Sequence, residues 1–513
     1  MTHWHDHLII GPILLPMAVA AAMLLIDERR RILKASLSLA AMAAILAMAL
    51  VLLHESATGA AGGGDTARVY RLGDWAAPYG VVLVADRLST LMVALTSVLG
   101  GLALIFALAR WDRAGPRFHA LFLTLIMGVN GAFLTGDLFN LFVFFEVLLI
   151  ASYGLMLHGQ GALRLKAGVA YVVVNIVGSA LFLIALGLLY GLTGTLNMAD
   201  LAVKVAALGA GDQGLLRVAG LLLLTVFALK AAVVPIHLWL PRTYAATMPV
   251  VAALFAIMTK VGVYAMIRTV PLIFGAKAGA AAWVPAPYLL PAALLGAILG
   301  FVGVLVARGM REQAAFAVLA STGTLLMAVS FWQEATLAAA LYYLVQATLA
   351  GAALFLVADV TMRRRGQYAD AIVPSPRFAG QDGAGLLYLI AAIAAVGLPP
   401  LAGFVGKLLI LDASFALPGW QSVWTTILVT TLVGVIGFSR SGSTLFWKEA
   451  PPATAAIAGA SRSRAEFVAP VVLLALLAVL TVTAGWVTAQ TRATAAQVMA
   501  PERYVAAILG ATR

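Results

Sequence analysis

Residues 216–241 read LRVAGLLLLTVFALKAAVVPIHLWLP, and this stretch limits the fold classes open to the chain. A helix that crosses the hydrocarbon core of a bilayer needs about 20 mostly apolar residues, and the stretch supplies them. Lys230 lies near its centre. Pro235 follows shortly after, and a proline interrupts a helix because it lacks the backbone N–H and its ring clashes with the preceding turn. The stretch therefore predicts a membrane helix that breaks beside a buried ammonium group.

The composition of the whole chain is that of a membrane protein. Of its 513 residues, 63% are hydrophobic and 11% are charged, and the mean hydropathy is +1.01. A soluble domain is about half apolar and about a quarter charged, so the composition argues against a soluble protein. The chain has no Cys, which excludes disulfides, thiolate metal sites and iron–sulfur ligation.

Apolar runs of membrane-spanning length recur along the entire chain. We predict an all-α membrane protein with about 14 transmembrane helices. The predicted spans are residues 8–26, 35–53, 88–109, 118–135, 138–158, 167–190, 216–240, 248–270, 287–307, 312–332, 335–361, 384–410, 421–446 and 466–489.

The positions of Lys and Arg predict how the chain is oriented. Twenty of them lie in the odd-numbered connections between spans, whereas the even-numbered connections and the C-terminal tail hold ten. Because cytoplasmic connections carry the excess of Lys and Arg, we expect the odd connections in the cytoplasm and both termini outside a bacterial inner membrane. The net charge of +12 is then a topology signal, and we expect no nucleic-acid partner.

The connection between the second and third spans contains a hairpin signal. Alternating apolar residues, such as Val69 before and Val81 and Leu83 after, flank the Pro/Gly turn Trp75–Gly80. Alternation on both sides of such a turn is typical of two antiparallel strands. We therefore predict an external β-hairpin.

Four ionisable residues lie inside predicted spans and are the main candidates for function. They are Glu146, Lys230, Lys260 and Lys407. Each costs about 2.5–3.5 kcal/mol at a helix centre, so such residues usually face a polar cavity and mark a path for protons or ions. The alternative, a side chain that extends to the membrane surface, is weakest for the short Glu146 and strongest for Lys407, which is nearer the end of its span.

A second predicted break accompanies Lys407. Pro399 and Pro400 precede it and free the carbonyls of Ala395 and Val396. Freed carbonyls at membrane depth need water or polar side chains, and interrupted helices often mark transporter sites. The alternative is an ordinary proline kink. It is the less favoured one, because a predicted break lies beside a buried Lys in two separate spans.

Other polar residues in or beside the spans are weaker candidates for a proton relay. His237 follows Pro235 and is as consistent with an interfacial histidine as with a relay. Gln346 and Thr322 can bind water or simply join helices, as can Asn175 and Thr324. Asp137 lies at the edge of a span. We find no motif for a cofactor and no metal-ligand spacing.

Three stretches resemble the antiporter-like membrane subunits. They are Asp137–Gly159, Lys230–Arg268, and Gly397–Phe404 together with Lys407. That superfamily includes proton-pumping subunits of respiratory NADH:quinone oxidoreductase and the large subunits of Mrp-type (also called Mnh or Pha) cation/proton antiporters. The chain length and the Trp75–Gly80 hairpin look most like the D-type subunits of Mrp antiporters.

The resemblance implies two inverted five-helix repeats, each with one discontinuous helix. It divides the chain into an N-terminal three-helix part with the hairpin, residues 1–117, and a first repeat, residues 118–270. The second repeat is residues 287–446, and a C-terminal helix and tail form residues 466–513. The resemblance also implies obligate partner subunits in a multisubunit complex and no cofactor.

The resemblance further implies roles for the buried charges. Glu146 corresponds to the ion-pair glutamate, Lys230 to its partner, Lys260 to the connecting lysine and Lys407 to the distal lysine. The chain departs from the family pattern at Gln346, where we expect a histidine. Glutamine cannot carry a proton, so either water bridges this step or the position is dispensable.

Three functions compete at this stage. The first is a subunit of an antiporter that exchanges protons for Na⁺ or K⁺. The second is a subunit of a redox-driven proton pump, and the third is a scaffold without ion chemistry. The buried charges argue against a scaffold, because they are costly without a use. We favour the antiporter, and the sequence does not determine which cation it exchanges.

Overall fold

The computed structural model describes residues 4–58, 67–450 and 464–510. Twenty α-helices lie in these ranges. They are α1 Gly11–Leu25, α2 Arg31–Thr58, α3 Arg87–Ala107, α4 Phe118–Leu134, α5 Leu138–Leu157, α6 Ala162–Thr193, α7 Met198–Ala206, α8 Gln213–Lys230, α9 Trp239–Ala246, α10 Pro249–Phe255, α11 Met258–Ile273, α12 Ala286–Val306, α13 Met310–Val329, α14 Glu334–Arg364, α15 Gln381–Val396, α16 Ala402–Ser414, α17 Trp420–Phe446, α18 Val468–Val482, α19 Ala484–Val498 and α20 Pro501–Leu509.

Each of the fourteen predicted spans falls on one or two of these helices. In the described residues, nine helices and the adjoining pair α10–α11 are long and apolar enough to cross a membrane, and the bent pair α18–α19 makes an eleventh crossing. The other three predicted spans correspond to shorter apolar helices, α1, α4 and α15. The helical membrane fold class is therefore as predicted, although length and composition alone support ten or eleven crossings.

Both predicted helix breaks are present. The chain is not helical from Ala231 to Leu238, between α8 and α9, or from Gly397 to Leu401, between α15 and α16. The sequence did not predict a third interruption at Ala256–Ile257, between α10 and α11. No proline lies at this third break, so its local sequence gave no signal.

The last predicted span, residues 466–489, is wrong as a single straight helix. The chain bends by 82° between α18 and α19, and α19 continues to Val498. Both segments are apolar enough to read as one run, because hydropathy does not report helix direction.

The predicted β-hairpin is confirmed. Strand β1, Arg68–Arg71, pairs antiparallel with β2, Val82–Ala85, and Arg68 lies opposite Ala85. Strand β2 is buried and is followed by Asp86, whose side chain accepts from the amide of Ser89 and caps α3.

The interior of the bundle is formed by α10, α11, α13 and α14, which are almost wholly buried. Glycines let neighbouring helices approach each other closely. A Cβ atom at Gly300 would lie 2.4 Å from the amide nitrogen of Ala320, and one at Gly323 would lie 2.3 Å from that of Ala297. Small residues of this kind permit close backbone packing of membrane helices, here between α12 and α13.

Candidate functional site

Lys230 is the last residue of α8 and lies at the first helix break. Its side chain is buried, with a relative exposure of 6%. Its Nζ donates to Asn175 Oδ1 on α6 at 3.1 Å and lies 5.8 Å from the ring centroid of Phe145. A hydrogen bond spans the break, from the indole N–H of Trp239 to the carbonyl of Leu229 at 3.2 Å. The ammonium group therefore faces a polar contact inside the bundle.

Glu146 does not contact Lys230 directly. Within the described part of the chain, no ion pair joins them within 4.0 Å; instead, Glu146 Oε1 accepts a hydrogen bond from Ser179 Oγ. Ser179 lies one turn after Asn175 on α6, and its hydroxyl also donates to the Asn175 carbonyl at 3.0 Å. Two polar residues of α6 thus connect the carboxylate to the ammonium. In this conformation α6 supplies the intervening contacts, and the pairing of Glu146 with Lys230 that the family resemblance implies stays a prediction.

Lys260 lies in the first turn of α11, directly after the third break. It is fully buried, and its Nζ donates to Thr259 Oγ1 at 3.3 Å and to Ser321 Oγ of α13 at 3.5 Å. A Cβ atom at Gly262 would lie 2.6 Å from the amide nitrogen of Ala231. The glycine therefore holds α11 against the end of α8, which carries Lys230.

Lys407 lies on α16, close to the second break. Its Nζ donates to the carbonyl of Val396 and to Thr431 Oγ1, each at 2.7 Å, and lies 4.9 Å from the ring centroid of Phe301. The ammonium thus satisfies one of the two carbonyls that Pro399 and Pro400 were predicted to free. With a relative exposure of 4%, Lys407 is buried, and the alternative that it extends to the membrane surface is wrong.

A polar but incomplete connection lies between Lys260 and Lys407. On α13, Ser321 contacts Lys260 and Thr324 lies one turn later. The hydroxyl of the buried Tyr343 on α14 faces Thr324 but makes no hydrogen bond of ordinary geometry within the described residues. The Tyr343 ring packs close to Gly406, which precedes Lys407.

Gln346 lies one turn after Tyr343 on α14 and is also buried. Its Oε1 has no hydrogen-bond partner among the residues that the structure describes. A buried polar atom without a partner costs about 1–3 kcal/mol. Two such atoms thus lie one turn apart on α14, and a water molecule bound beside either would satisfy it.

The remaining predicted relay residues differ in their surroundings. His237 lies in the first break with Nδ1 buried and lacking a partner within the described ranges. Thr322 donates to the carbonyl of Val318 in its own helix at 3.0 Å, so its hydroxyl is already satisfied. Asp137 caps α5 by accepting from the amide of Asn140 at 2.9 Å, and burial raises the pKa of its carboxyl group.

A buried ion pair that the sequence did not indicate lies at the other end of α11. Arg268 donates to both carboxylate oxygens of Asp86 at 2.6 and 2.7 Å. Burial alone would raise the pKa of Asp86, but the charge and hydrogen bonds of Arg268 hold that pKa below its usual value. Arg268 also lies near the rings of Tyr264 and Tyr504. The pair joins the start of α3 to α11, about two turns after Lys260.

The sequence therefore located the charged residues but not the neutral residues that connect them. Asn175 was noted only as a polar residue in a span, and Ser179, Ser321, Tyr343 and Thr431 were not singled out. The spacing of Asn175 and Ser179, one turn apart on α6, is the one signal that places two of them on a single helix face. No group of three or more metal-ligating residues occurs in the described ranges.

Comparisons with known proteins agree with the fold and with the family resemblance. The family model described as "NADH:quinone oxidoreductase/Mrp antiporter, TM" matches residues 135–434. A protein of Rhizobium meliloti (strain 1021), named as a probable K(+)/H(+) antiporter subunit of type D, is 41% identical, over 100% of this chain and 99% of its own. A protein of Bacillus subtilis (strain 168), named as a Na(+)/H(+) antiporter subunit of the same type, is 34% identical, over 98% of this chain and 99% of its own.

A solved structure supports the same fold. A chain in the Mrp complex from Dietzia sp. DQ12-45-1b is similar to this one with a TM-score of 0.86 and 26% identity, over 99% of this chain and 100% of that chain. The likeness extends over both interrupted helices. The predicted fold class is therefore confirmed along essentially the whole length.

Proposed function

We propose that this chain, which belongs to the NADH:quinone oxidoreductase/Mrp antiporter family, is the D-type subunit of a multisubunit antiporter that exchanges protons for Na⁺ or K⁺. The relatives that match its full length are named for such exchange, one for K⁺ and one for Na⁺. The chain is then a subunit of a transporter rather than an enzyme. The alternative of a redox-driven pump has support only from the related fold.

The observation that carries this proposal is the set of three lysines buried at helix breaks. Lys230, Lys260 and Lys407 each have a relative exposure of 6% or less. Ionisable residues at membrane depth are expensive and pair with polar groups along ion paths. Here each lysine has a polar contact on a different helix, which supports a path through the interior rather than three isolated structural contacts.

The first half of the proposed path begins at Glu146. Ser179 and Asn175 couple the charge of Glu146 to Lys230, so a movement of α6 changes how well the charged form of Lys230 is stabilised. A nearby opposite charge favours the charged form of a buried group, and burial disfavours it. The proton then passes from Lys230 to Lys260, across the contact between α8 and α11.

The second half of the proposed path runs from Lys260 to Lys407. Ser321 accepts the hydrogen bond from Lys260. Water beside Tyr343 and Gln346 then carries the proton across the position where the family has a histidine. Water bridges of this kind are nearly as favourable as direct hydrogen bonds. His237 and Asp137 serve as accessory relays, whereas Thr322, bonded within its own helix, is the least suited of the candidates.

The exposed position of Glu146 supports an obligate partner subunit. Phe139, Val143 and Ile150 form an exposed stripe on α5 with exposures of 50%, 39% and 64%. Glu146 falls within that stripe by helical spacing and is partly exposed. A carboxylate that faced lipid would cost about 2.5–3.5 kcal/mol. A polar surface of a neighbouring membrane subunit therefore covers this face in the proposed complex.

The proposed orientation places the Arg- and Lys-rich connections in the cytoplasm and both termini outside the bacterial inner membrane. It follows from the asymmetry of basic residues. The division into repeats at residues 118–270 and 287–446 belongs to the same proposal. The first contains the interruption at 231–238 and also the shorter one at 256–257, and the second contains the interruption at 397–401.

The test is exchange by the assembled complex in liposomes. Glu146→Ala and Lys230→Ala should each abolish or severely reduce cation/proton exchange while the complex still assembles, and Glu146→Asp should retain part of it. Lys204→Ala is the matched control, because the Lys204 side chain is 43% exposed and, within the described residues, forms an ion pair with Asp200 on α7 and none with the proposed path. The purified chain alone should not exchange ions. Wild-type exchange in Glu146→Ala and Lys230→Ala would overturn the proposed path, and robust exchange by the single chain would overturn the obligate complex.

A further inference from the structure

A charged cavity lies where α1, α2 and α4 end on the Arg- and Lys-rich side of the bundle. Its volume is about 320 Å³. It lies between residues 26–30, which connect α1 to α2, and residues 108–117, which precede α4. None of the residues on the proposed proton path lines this cavity, so its charges need a separate explanation.

The walls of the cavity carry more positive than negative charge. Arg31 donates to both carboxylate oxygens of Asp112 at 2.5 and 2.9 Å, and Lys34 Nζ donates to Glu28 Oε1 at 2.7 Å. Each acid is thus neutralised by one cation. Two further lining residues, Arg113 and Arg117, are exposed and form no ion pair in the part of the chain that the structure describes.

The start of α4 forms part of the same wall, and the backbone of Arg117 there is hydrogen-bonded to Glu28. Arg117 precedes the helix with φ of +61° and provides no side-chain cap. The first amides of a helix have no partner within the helix, and they favour anions. Residues 118–120, which carry these amides, line the cavity.

His119 provides an independent sign of a missing ligand. Its side chain is 5% exposed and lines the cavity. Its Nδ1 lies 2.9 Å from Ser38 Oγ, but its Nε2 has no hydrogen-bond partner within the described residues and lies 3.8 Å from Asp112. A buried ring nitrogen without a partner is costly, and a bound acceptor or donor would satisfy it.

An apolar margin continues from the cavity onto the membrane surface. Leu24 lines the cavity and is 62% exposed, and Leu25 and Ile32 beside it are 90% and 83% exposed. These side chains lie at the membrane-facing ends of α1 and α2. A ligand that fits both features carries an anionic group next to hydrocarbon chains.

We propose that this cavity binds the phosphate group of an anionic phospholipid, with its acyl chains along Leu24, Leu25 and Ile32. Basic pockets between membrane helices on the cytoplasmic side recognise such head groups. The excess of Arg on this side explains the orientation of the chain, but it explains neither the cavity nor the buried imidazole of His119, whose Nε2 makes no hydrogen bond within the described residues. A free phosphate ion shares the same chemistry, but it leaves the apolar margin unused.

The test uses the assembled complex, purified in neutral detergent, and the double substitution Arg113→Gln with Arg117→Asn. Asparagine tolerates the positive φ at position 117. Binding of added phosphatidylglycerol is measured by native mass spectrometry, with phosphatidylcholine and inorganic phosphate as parallel probes. Each basic residue near the surface contributes about fivefold to the binding of anionic lipid, so we expect roughly 30-fold weaker binding. Arg308→Gln with Arg377→Gln is the matched control, because both residues are exposed arginines in other odd-numbered connections.

Equal affinity for phosphatidylglycerol in the double variant and the control would overturn the proposal. Displacement of the lipid by inorganic phosphate would support the phosphate site and refute lipid as its occupant. Loss of a neighbouring subunit with unchanged lipid binding would identify the cavity as a protein interface instead. If the double variant does not assemble, Arg113→Gln alone must weaken binding about fivefold, and Arg113→Lys must retain it.

Discussion

Asn175 is the residue whose removal tests the proposed path most directly. Its amide oxygen accepts the one hydrogen bond that Lys230 donates within the described structure, and its amide nitrogen donates to the carbonyl of Tyr171 at 2.8 Å. In the substitution Asn175→Leu the side chain keeps a similar branched shape but loses both bonds. Lys230 stays buried without a partner for its charge.

The expected loss follows from the energy of a hydrogen bond to a charged group. Such a bond contributes about 1.5–3 kcal/mol. That is a change of roughly 10- to 100-fold in the population of the charged form of Lys230. If this form is an obligatory stage of transport, the rate of cation/proton exchange should fall by a similar factor, with normal assembly of the complex.

The assay is cation-induced proton movement in liposomes that contain the assembled complex, followed with a pH-sensitive dye. Asn130→Leu is the matched control, because Asn130 is also a buried helical asparagine and donates to a backbone carbonyl, that of Pro12, at 3.0 Å. It contacts no charged residue of the path. We expect exchange close to wild type in the control and a large loss in Asn175→Leu.

A double-mutant cycle separates coupling from general damage. Adding Lys230→Ala to Asn175→Leu should reduce exchange little beyond the single substitutions, because both act on one contact. Equal losses in Asn130→Leu and Asn175→Leu, or independent effects of Asn175 and Lys230, would refute the reasoning. Full exchange in Asn175→Leu would do the same.

Three further experiments examine the distal path and the topology. Lys407→Ala should abolish exchange without preventing assembly. Lys407→Arg should keep the charge but release protons poorly, since arginine stays protonated. Full exchange in either variant would remove Lys407 from the path. Tyr343→Phe deletes a buried hydroxyl without a hydrogen-bond partner in the described residues, so exchange should slow while thermal stability is kept. An unchanged exchange rate would exclude this hydroxyl from the proton path. Because the chain lacks Cys, single Tyr79→Cys and Arg377→Cys variants can be labelled with an impermeant maleimide in right-side-out vesicles. Only the Tyr79→Cys protein should react, and the opposite pattern would reverse the proposed orientation.

The parts of the fold that depend on local composition were predictable. Hydropathy located the helices, and Pro235 and Pro399 located two of the breaks because proline acts on its own helix. The break at Ala256–Ile257 has no proline to announce it, and the close contact of α11 with the end of α8 at Gly262 depends on packing. The bend after α18 is likewise set by tertiary packing. The spacing of apolar residues along the sequence predicts neither this break nor this bend.

The same distinction applies to the site. A charge inside an apolar run is conspicuous, so Glu146 and Lys230 could be found from the sequence. Serine and asparagine are common in membrane helices, and their partners depend on which helix faces which. The contact of Ser179 with Glu146 therefore became visible only with the packing of α5 against α6.

The hydrogen bonds to the three buried lysines differ in length and number, and this difference bears on how proton movement is coupled to the exchange of a cation. Lys407 donates two short hydrogen bonds at 2.7 Å, Lys230 donates one at 3.1 Å, and Lys260 has only long contacts at 3.3 and 3.5 Å to neutral hydroxyls. Short, charge-assisted bonds are the stronger ones. On the proposed path, a proton is therefore held least well at its central station. A proton crosses there only when water or a movement of the neighbouring helices adds stabilisation, and such a barrier would keep the two halves from conducting protons without the exchange of a cation.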